Sequence, residues 1–438
     1  MSPVLQRLAD WELGWLLLLA PLFFFPRVSL SPLLIALPLL WGLRWLATGH
    51  IIPRTPLDGS ILLLLLAVLV SQWATPYPTF SLAKVAGLLL SIALYYTLVE
   101  RTRSQQGVWQ SVLLFVLATC GLAAISLVGT NWTGKFLWLS AITGRLPRLL
   151  QGMPGTLPEG LNPNSIAGAL LLTTPLLLML LWHFRDKPLP VSSQWQPVAR
   201  AFLWLSFLLI AMTLILTQSR GGYIGLGVGL LALLPRRRLT MLLGGGTLVL
   251  LVLVILTEGQ LLQGYFDSTI EDPEVVEEQA QALDSLQGRQ EVWQRAISTI
   301  EDFPLTGVGM GTFRRVGPAL YPWVTLPADI DIGHVHNHLL AAAVDLGLPG
   351  LVAYLALWLG SAAMAWDIWR VAPASTERTL CLGIVAGLIA HFVWGMADAN
   401  VLGSKGGFLL WLSLASLASL HRATIADFQT RTGEAVGE

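Results

Sequence analysis

Residues 57–74 read LDGSILLLLLAVLVSQWA, a run that is apolar almost throughout. A helix that crosses a bilayer needs about 20 consecutive, mostly apolar residues. Eleven other stretches have the same character, near 12–26, 28–47, 82–99, 108–129, 165–183, 199–218, 221–235, 239–256, 348–369, 380–397 and 405–421. The sequence therefore predicts an all-α polytopic membrane protein with about 12 transmembrane helices.

The composition agrees with a membrane protein. Of 438 residues, 54% are hydrophobic and only 12% are charged, about half the charged fraction of a soluble domain. The 26 basic residues balance the 26 acidic ones, which makes nucleic acid an improbable partner. Cys120 and Cys381 both fall inside apolar runs, so we expect buried thiols and neither a disulfide framework nor a metal site.

Basic residues in the connecting loops predict the orientation, because cytoplasmic loops are enriched in Lys and Arg. One set of loops and both termini hold most of them, and Arg236, Arg237 and Arg238 form the clearest cluster. The short loops of the other set hold only Arg27, Lys84, Arg220 and Lys405. Both termini are therefore predicted to be cytoplasmic.

A large acidic loop is predicted on the outer face. Residues 257–336 carry 13 Asp and Glu against 4 Lys and Arg, so this segment must face water. The predicted organisation is a membrane domain of nine spans over 1–256, a large, mainly helical loop over 257–347, three further spans over 348–421, and a cytoplasmic tail over 422–438.

An amphipathic helix is predicted from Gly288 to Glu301 within that loop. Its apolar stripe contains Val292, Trp293, Ala296, Ile297 and Ile300. Arg289 projects onto the middle of this stripe at 100° per residue and Arg295 lies opposite. A buried arginine requires an anion. A bound ligand and a structural salt bridge to a nearby acid both remain open.

Arg220 stands in Thr217-Gln218-Ser219-Arg220-Gly221-Gly222, a short loop on the same outer face. Gly221, Gly225 and Gly229 follow at four-residue spacing, which permits close helix packing. Arg220 alone would be an interfacial anchor for lipid headgroups. Together with Arg289, it suggests a shared anionic ligand.

Three of the seven histidines lie in Gly333-His334-Val335-His336-Asn337-His338. Three interpretations are open: a metal site, a general base suited to neutral pH, and a polar start to a helix. The alternating spacing is not a standard zinc pattern. Asn162 and Pro163 predict a helix cap, and we expect His391 to be hydrogen-bonded within the bundle.

Four short stretches resemble the O-antigen ligase and polymerase superfamily of bacterial envelope proteins. They are Asn162–Ala167, Ser219–Gly222, the segment from Gly288 to Gly311, and His336-Asn337 followed at set spacing by Gly347 and Gly350. The last is similar to the ligase signature H-N-x₉-G-x₂-G. All four occur in order and on the predicted outer face.

The resemblance implies a glycosyltransferase in the bacterial inner membrane, with its active site on the periplasmic side. The donor would be a glycan on undecaprenyl diphosphate, and the acceptor lipid A-core or another glycan acceptor; membrane lipids surround both. No metal or other cofactor is implied. Arg220 and Arg289 would stabilise the leaving diphosphate, and His336 would be the general base of an inverting reaction. The implied substrate-binding residues are Asn164, Asn337, His338, Gly309 and Gly311.

Members of this superfamily differ in function. Ligases attach glycan to a lipopolysaccharide core, polymerases join repeat units, other members glycosylate pilins, and one branch has been proposed to transport bicarbonate. A transporter would not need a base in the large loop, whereas His336 stands in the full ligase signature here. The acceptor and the glycan stay open at this point.

Overall fold

The computed structural model describes residues 11–24, 35–102, 105–130, 132, 139, 142–146, 161–234, 286–324, 326, 332–372, 376–400, 402–404 and 406–433. Within these ranges the chain is helical and contains no strand. The helices are α1 Glu12–Phe24, α2 Ala36–Thr48, α3 Asp58–Ala74, α4 Pro78–Arg101, α5 Gln105–Gly129, α6 Pro163–Leu171, α7 Thr174–His183, α8 Gln196–Leu216, α9 Arg220–Leu231, α10 Leu286–Asp302, α11 Phe313–Leu320, α12 His338–Val371, α13 Thr376–Gly395 and α14 Phe408–Thr432.

Seven helical segments of the described chain are long and apolar enough to cross a membrane, namely Pro78–Arg101, Gln106–Gly129, Pro163–His183, Ser193–Leu216, His338–Val371, Thr376–Gly395 and Phe408–Thr432. The chain is therefore a multi-pass membrane protein. Helix α3 is a shorter apolar helix. Helices α1, α2 and α9 occupy three other predicted spans but have only 13, 13 and 12 residues. The span predicted at 239–256 lies outside the described residues, so twelve crossings stay a prediction.

Polar caps begin three helices at one end of the bundle. The side chain of Asn162 accepts hydrogen bonds from the N–H groups of Asn164 and Ser165 and starts α6, which confirms the predicted cap. Asn337 caps α12 and Ser219 caps α9 in the same way. Such caps bind N–H groups that have no partner within the helix. We call this end, where α6, α9 and α12 begin and α13 ends, the site end.

Glycines bring α9 directly onto α13. A Cβ added at Gly225 or Gly229 would lie 2.5 Å from the Ala390 carbonyl oxygen or 2.6 Å from that of Ala386. Only glycine permits this approach of two backbones. The close packing predicted from the four-residue spacing is confirmed, and it holds the first residue of α9 against the last turns of α13.

Residues 303–312, between α10 and α11, dock onto a break in α12, and we call them the docking segment. Gly347 has φ 70° and ψ −176°, so α12 consists of two helical parts. The break leaves carbonyls for the docking segment: Val308 N–H donates to Val344 O at 2.9 Å and Gly309 N–H to Asp345 O at 3.1 Å. Thr75, at the end of α3, donates to Val308 O at 2.6 Å. These bonds fix the segment on the site end of the bundle.

Candidate functional site

Helix α10 places Arg289, but its buried face differs from the prediction. Val292 and Ala296 are fully buried as predicted, whereas Ile297 is 48% exposed; the prediction for Ile297 was wrong. Glu291 is buried instead, because its carboxylate accepts the N–H groups of Val324 and Leu326. Those two bonds rotate the helix by about one position.

Trp293 ties α10 to the histidine segment. Its indole N–H donates to the carbonyl of Val335 at 2.9 Å. Arg289 stands one helical turn before Trp293 and is half-buried. The helix therefore carries Arg289 to the side where the histidines lie.

Two histidines and an aspartate form the centre of the site. His334 Nε2 lies 3.4 Å from Asp398 Oδ1, and His336 Nδ1 lies 3.5 Å from the same oxygen. The two imidazole rings are 4.3 Å apart between centroids. Asp398 is buried just beyond the end of α13, and both histidines are half-buried. We call these three residues the His–Asp cluster.

The hydrogen bonds assign the protons in this cluster. The backbone N–H of His336 donates to His334 Nδ1 at 3.2 Å, so Nδ1 is an acceptor and the proton of the neutral ring is on Nε2, facing Asp398. Burial lowers the pKa of His334 to about 4, aided by the charges of His336, Lys84 and Arg289 against the opposing effect of Asp398. His334 is therefore neutral at pH 7.

Asp398 carries the negative charge of the cluster. Burial alone would raise the pKa of its carboxyl group, but the contacts with His336 and His334 and the N–H of Ala399 lower that pKa to about 2. The carboxylate is thus ionised at neutral pH and faces both imidazoles. A fixed carboxylate beside a histidine stabilises the imidazolium that forms when the ring accepts a proton.

Backbone strain marks two places at the site end. Among the described residues, only Gln218 and His336 are non-glycine residues with positive φ, each at 50°. Gln218 stands two positions before Arg220. Non-glycine residues in this region are uncommon and concentrate at functional sites, where the surroundings hold them in place.

Arg220 lies at the same end of the bundle. It is exposed, as the first residue of α9. The next residue, Gly221, packs on Trp394 in the last turn of α13, four residues before Asp398. Arg289 acts on the charge of His334, and Arg220 adjoins the end of α13 only through its neighbour Gly221. A single ligand bound by both arginines stays a prediction.

The predicted substrate-binding residues have structural contacts of their own. Asn337 also donates from its side chain to Met396 O at 3.1 Å. His338 is buried, with Nδ1 3.0 Å from the Tyr354 hydroxyl. Gly309 and Gly311 have φ of 107° and 70° within the docking segment. Asn164 is half-buried at the start of α6. Contact of these residues with substrate stays a prediction.

Other sequence predictions are confirmed. His391 Nδ1 lies 2.7 Å from the Gly168 carbonyl oxygen within the bundle. Cys381 is a buried thiol as predicted, whereas Cys120 is only half-buried. Two charged residues of the site were missed, Asp398 and Lys84. The sequence contains one signal for both: each is an ionisable residue within or at the end of an apolar run, and such residues mark functional sites in membrane proteins.

The His–Asp cluster also has the composition of a metal site, since its three ligand atoms lie within 4.8 Å of one another. Two observations favour a proton-sharing cluster. His334 Nδ1 already accepts a hydrogen bond from the backbone N–H of His336. A metal ion bound to Nε2 would require the ring proton on Nδ1, where it would face that N–H donor. Arg289 and Lys84 also act on the charge of His334, and both would oppose a divalent cation.

Residues 205–355 match the family model described as O-antigen ligase. This match supports the O-antigen ligase superfamily that the sequence predicted. The matched region is about a third of the chain and contains Arg220, Arg289 and His336. Asp398 and Lys84 lie outside that region. No curated protein matches the chain.

Proposed function

We propose that this protein is a membrane glycosyltransferase that moves a glycan from undecaprenyl diphosphate to an acceptor hydroxyl at the periplasmic face of the bacterial inner membrane. The acceptor is lipid A-core or another glycan acceptor. The observation that carries the proposal is the strained His336 held beside the ionised Asp398, with Arg289 acting on the charge of the neighbouring His334. This constellation, in a chain that matches the O-antigen ligase family model over residues 205–355, combines a base with a cation for a leaving diphosphate.

His336 is the proposed general base. Its Nδ1 faces Asp398 Oδ1 at 3.5 Å, which leaves Nε2 to accept a proton from the acceptor hydroxyl. The hydroxyl oxygen attacks the anomeric carbon while the bond from that carbon to the diphosphate oxygen breaks. Undecaprenyl diphosphate leaves with the electron pair of that bond. Direct attack of this kind inverts the anomeric centre.

Arg289 and Arg220 are the proposed partners of the leaving diphosphate. Charge accumulates on the diphosphate as the glycosidic bond breaks, and fixed cations stabilise that charge. Guanidinium groups match phosphate oxygens in bidentate fashion, which a lysine cannot reproduce. We therefore expect Arg289→Lys and Arg220→Lys to lose activity although the charge is kept.

A lipid-linked donor fits the location of the site. The cluster stands at the site end, where three helices that are long and apolar enough to cross a membrane begin or end. The basic loop residues place this end on the periplasmic side by the sequence argument. That compartment has no nucleoside triphosphates, so the sugar must arrive already activated, and a diphosphate lipid brings its leaving group to the membrane rim.

The test uses purified protein in liposomes with an undecaprenyl-diphosphate glycan and an acceptor. We expect acceptor-dependent release of undecaprenyl diphosphate in equal amount to the glycan transferred, and no loss of transfer with a metal chelator. Arg378, which lies over Trp369 at the opposite end of α12, offers the control variant Arg378→Lys for the two site arginines. Bicarbonate uptake that tracks the protein, with no donor consumed, would contradict the proposal.

A further inference from the structure

His334 is the member of the His–Asp cluster that the proposed reaction does not use. Both of its ring nitrogens have contacts. Nδ1 accepts the backbone N–H of His336 at 3.2 Å, and Nε2 lies 3.4 Å from Asp398 Oδ1. Neither nitrogen is therefore left to take a proton from an acceptor hydroxyl, so any effect of His334 on the reaction must pass through these two neighbours.

The first contact closes a turn at the strained residue. A side chain that accepts the N–H group two positions further on stabilises a tight turn, as Asn and Asp side chains do in loops. Here that N–H belongs to His336, whose φ of 50° is uncommon for a residue with a bulky side chain. Trp293 donates to the carbonyl of Val335, the residue in between, at 2.9 Å. Two hydrogen bonds thus hold the turn, and the turn sets the direction of the His336 ring.

The second contact fixes the carboxylate that faces the proposed base. Asp398 Oδ1 lies 3.4 Å from His334 Nε2 and 3.5 Å from His336 Nδ1, and it accepts the N–H of Ala399 at 2.8 Å. Because the neutral His334 ring has its proton on Nε2, it offers this oxygen a donor without adding a charge. A carboxylate held in one orientation can stabilise the imidazolium that forms on His336.

We propose that His334 is a positioning residue for the general base, holding the backbone turn of His336 and the carboxylate of Asp398 in one arrangement. This inference rests on the proposed function and adds a residue that acts through the base. The alternative is a purely structural role, in which the ring of His334 only packs within the segment before α12.

The experiment measures the single-turnover transfer rate of purified His334→Phe in liposomes, together with its binding of undecaprenyl diphosphate. Phenylalanine keeps an aromatic ring and removes both ring nitrogens. Loss of a donor to an ionised carboxylate corresponds to about a 10–100-fold lower rate, while binding should stay at the wild-type level. His183→Phe is the matched control, because the ring nitrogens of His183 face the hydroxyls of Thr376 and Thr379 at the opposite end of the bundle.

Two amide variants separate the two contacts. His334→Asn places an amide oxygen where Nδ1 accepts the N–H of His336, and His334→Gln places an amide N–H where Nε2 faces Asp398. Each keeps one contact, so both should be slower than wild type and faster than His334→Phe. A His334→Phe protein more active than both would mean that only ring packing matters, and it would overturn the inference. Wild-type rates in both amide variants would overturn it even where His334→Phe does not fold.

A double variant tests whether His334 acts through the base. In His334→Phe/His336→Ala there is no base to position, so the rate should equal that of His336→Ala alone. A further loss as large as that of the single His334→Phe substitution would show an independent effect and overturn the inference. Thermal unfolding of each variant shows whether it is folded.

The outcomes separate this inference from the proposed function. Wild-type protein that transfers no glycan would contradict the proposed function itself. Transfer that falls in His336→Ala but is unchanged in His334→Phe would overturn only the role of His334. Weaker binding of undecaprenyl diphosphate by His334→Phe at an unchanged single-turnover rate would assign His334 to donor binding, which also overturns the inference.

Discussion

Asp398→Asn removes the negative charge of the His–Asp cluster with little change in shape. Asp398 Oδ1 also accepts the N–H of Ala399 at 2.8 Å, and the asparagine oxygen can keep that bond. Unit charges 3.5 Å apart attract by about 5 kcal/mol at an effective dielectric constant of about 20. The imidazolium charge of His336 is shared between two nitrogens, so we expect Asp398→Asn to lose about 2–3 kcal/mol of this attraction. That corresponds to a kcat about 30–160-fold lower.

The assay is a single-turnover transfer from the lipid-linked donor in liposomes with saturating acceptor. Without the carboxylate, the imidazolium that forms as His336 accepts the proton is less stable, so the transfer rate should fall. Asp367→Asn is the matched control, because Asp367 faces His421 at 3.2 Å near the opposite end of α12. A transfer rate within two-fold of wild type would refute the reasoning.

Three further perturbations test the fold, the cluster and the orientation. Gly309→Ala should lower the unfolding temperature by forcing a Cβ to 2.3 Å from a neighbouring oxygen at φ 107°, a strain of about 1–3 kcal/mol, whereas Gly227→Ala has open space. The pKa of His334 is lowered from about 6.5 to about 4. Its contribution to the free energy of unfolding is therefore present above pH 6.5 and is lost as the pH falls toward 4. His334→Gln should weaken this pH dependence of thermal unfolding. With the native cysteines replaced, Gln290→Cys should react with an impermeant thiol reagent applied from the periplasmic side and Lys187→Cys should not; the reverse would overturn the orientation.

Local features of the fold could be predicted because nearby residues determine them. The Asn162 cap depends on two N–H groups within three positions of it, and the packing of α9 depends on glycines four residues apart. The run at 57–74 became α3 with almost the predicted bounds. Each of these follows from composition and short-range spacing alone.

The rest depends on contacts between distant parts of the chain. Ile297 is exposed because Glu291 binds backbone N–H groups more than thirty residues away. The helical periodicity of the sequence gives no information about such a distant contact. Asp398 comes from beyond α13 to meet His336 from before α12, and no sequence spacing indicates that pair. Lys84 was counted as a loop cation although the predicted span at 82–99 already included it, and α4 begins earlier still, at Pro78.

The central claim is that His336 takes the proton of the attacking hydroxyl. Its most direct test is the transfer rate of purified His336→Ala with an undecaprenyl-diphosphate glycan and acceptor, beside His421→Ala, which removes a histidine paired with an aspartate elsewhere. We predict that His336→Ala loses about 10²–10⁴-fold in rate while binding undecaprenyl diphosphate and unfolding at the wild-type temperature, and that His421→Ala keeps its activity. Near-normal transfer by a folded His336→Ala protein would contradict the account.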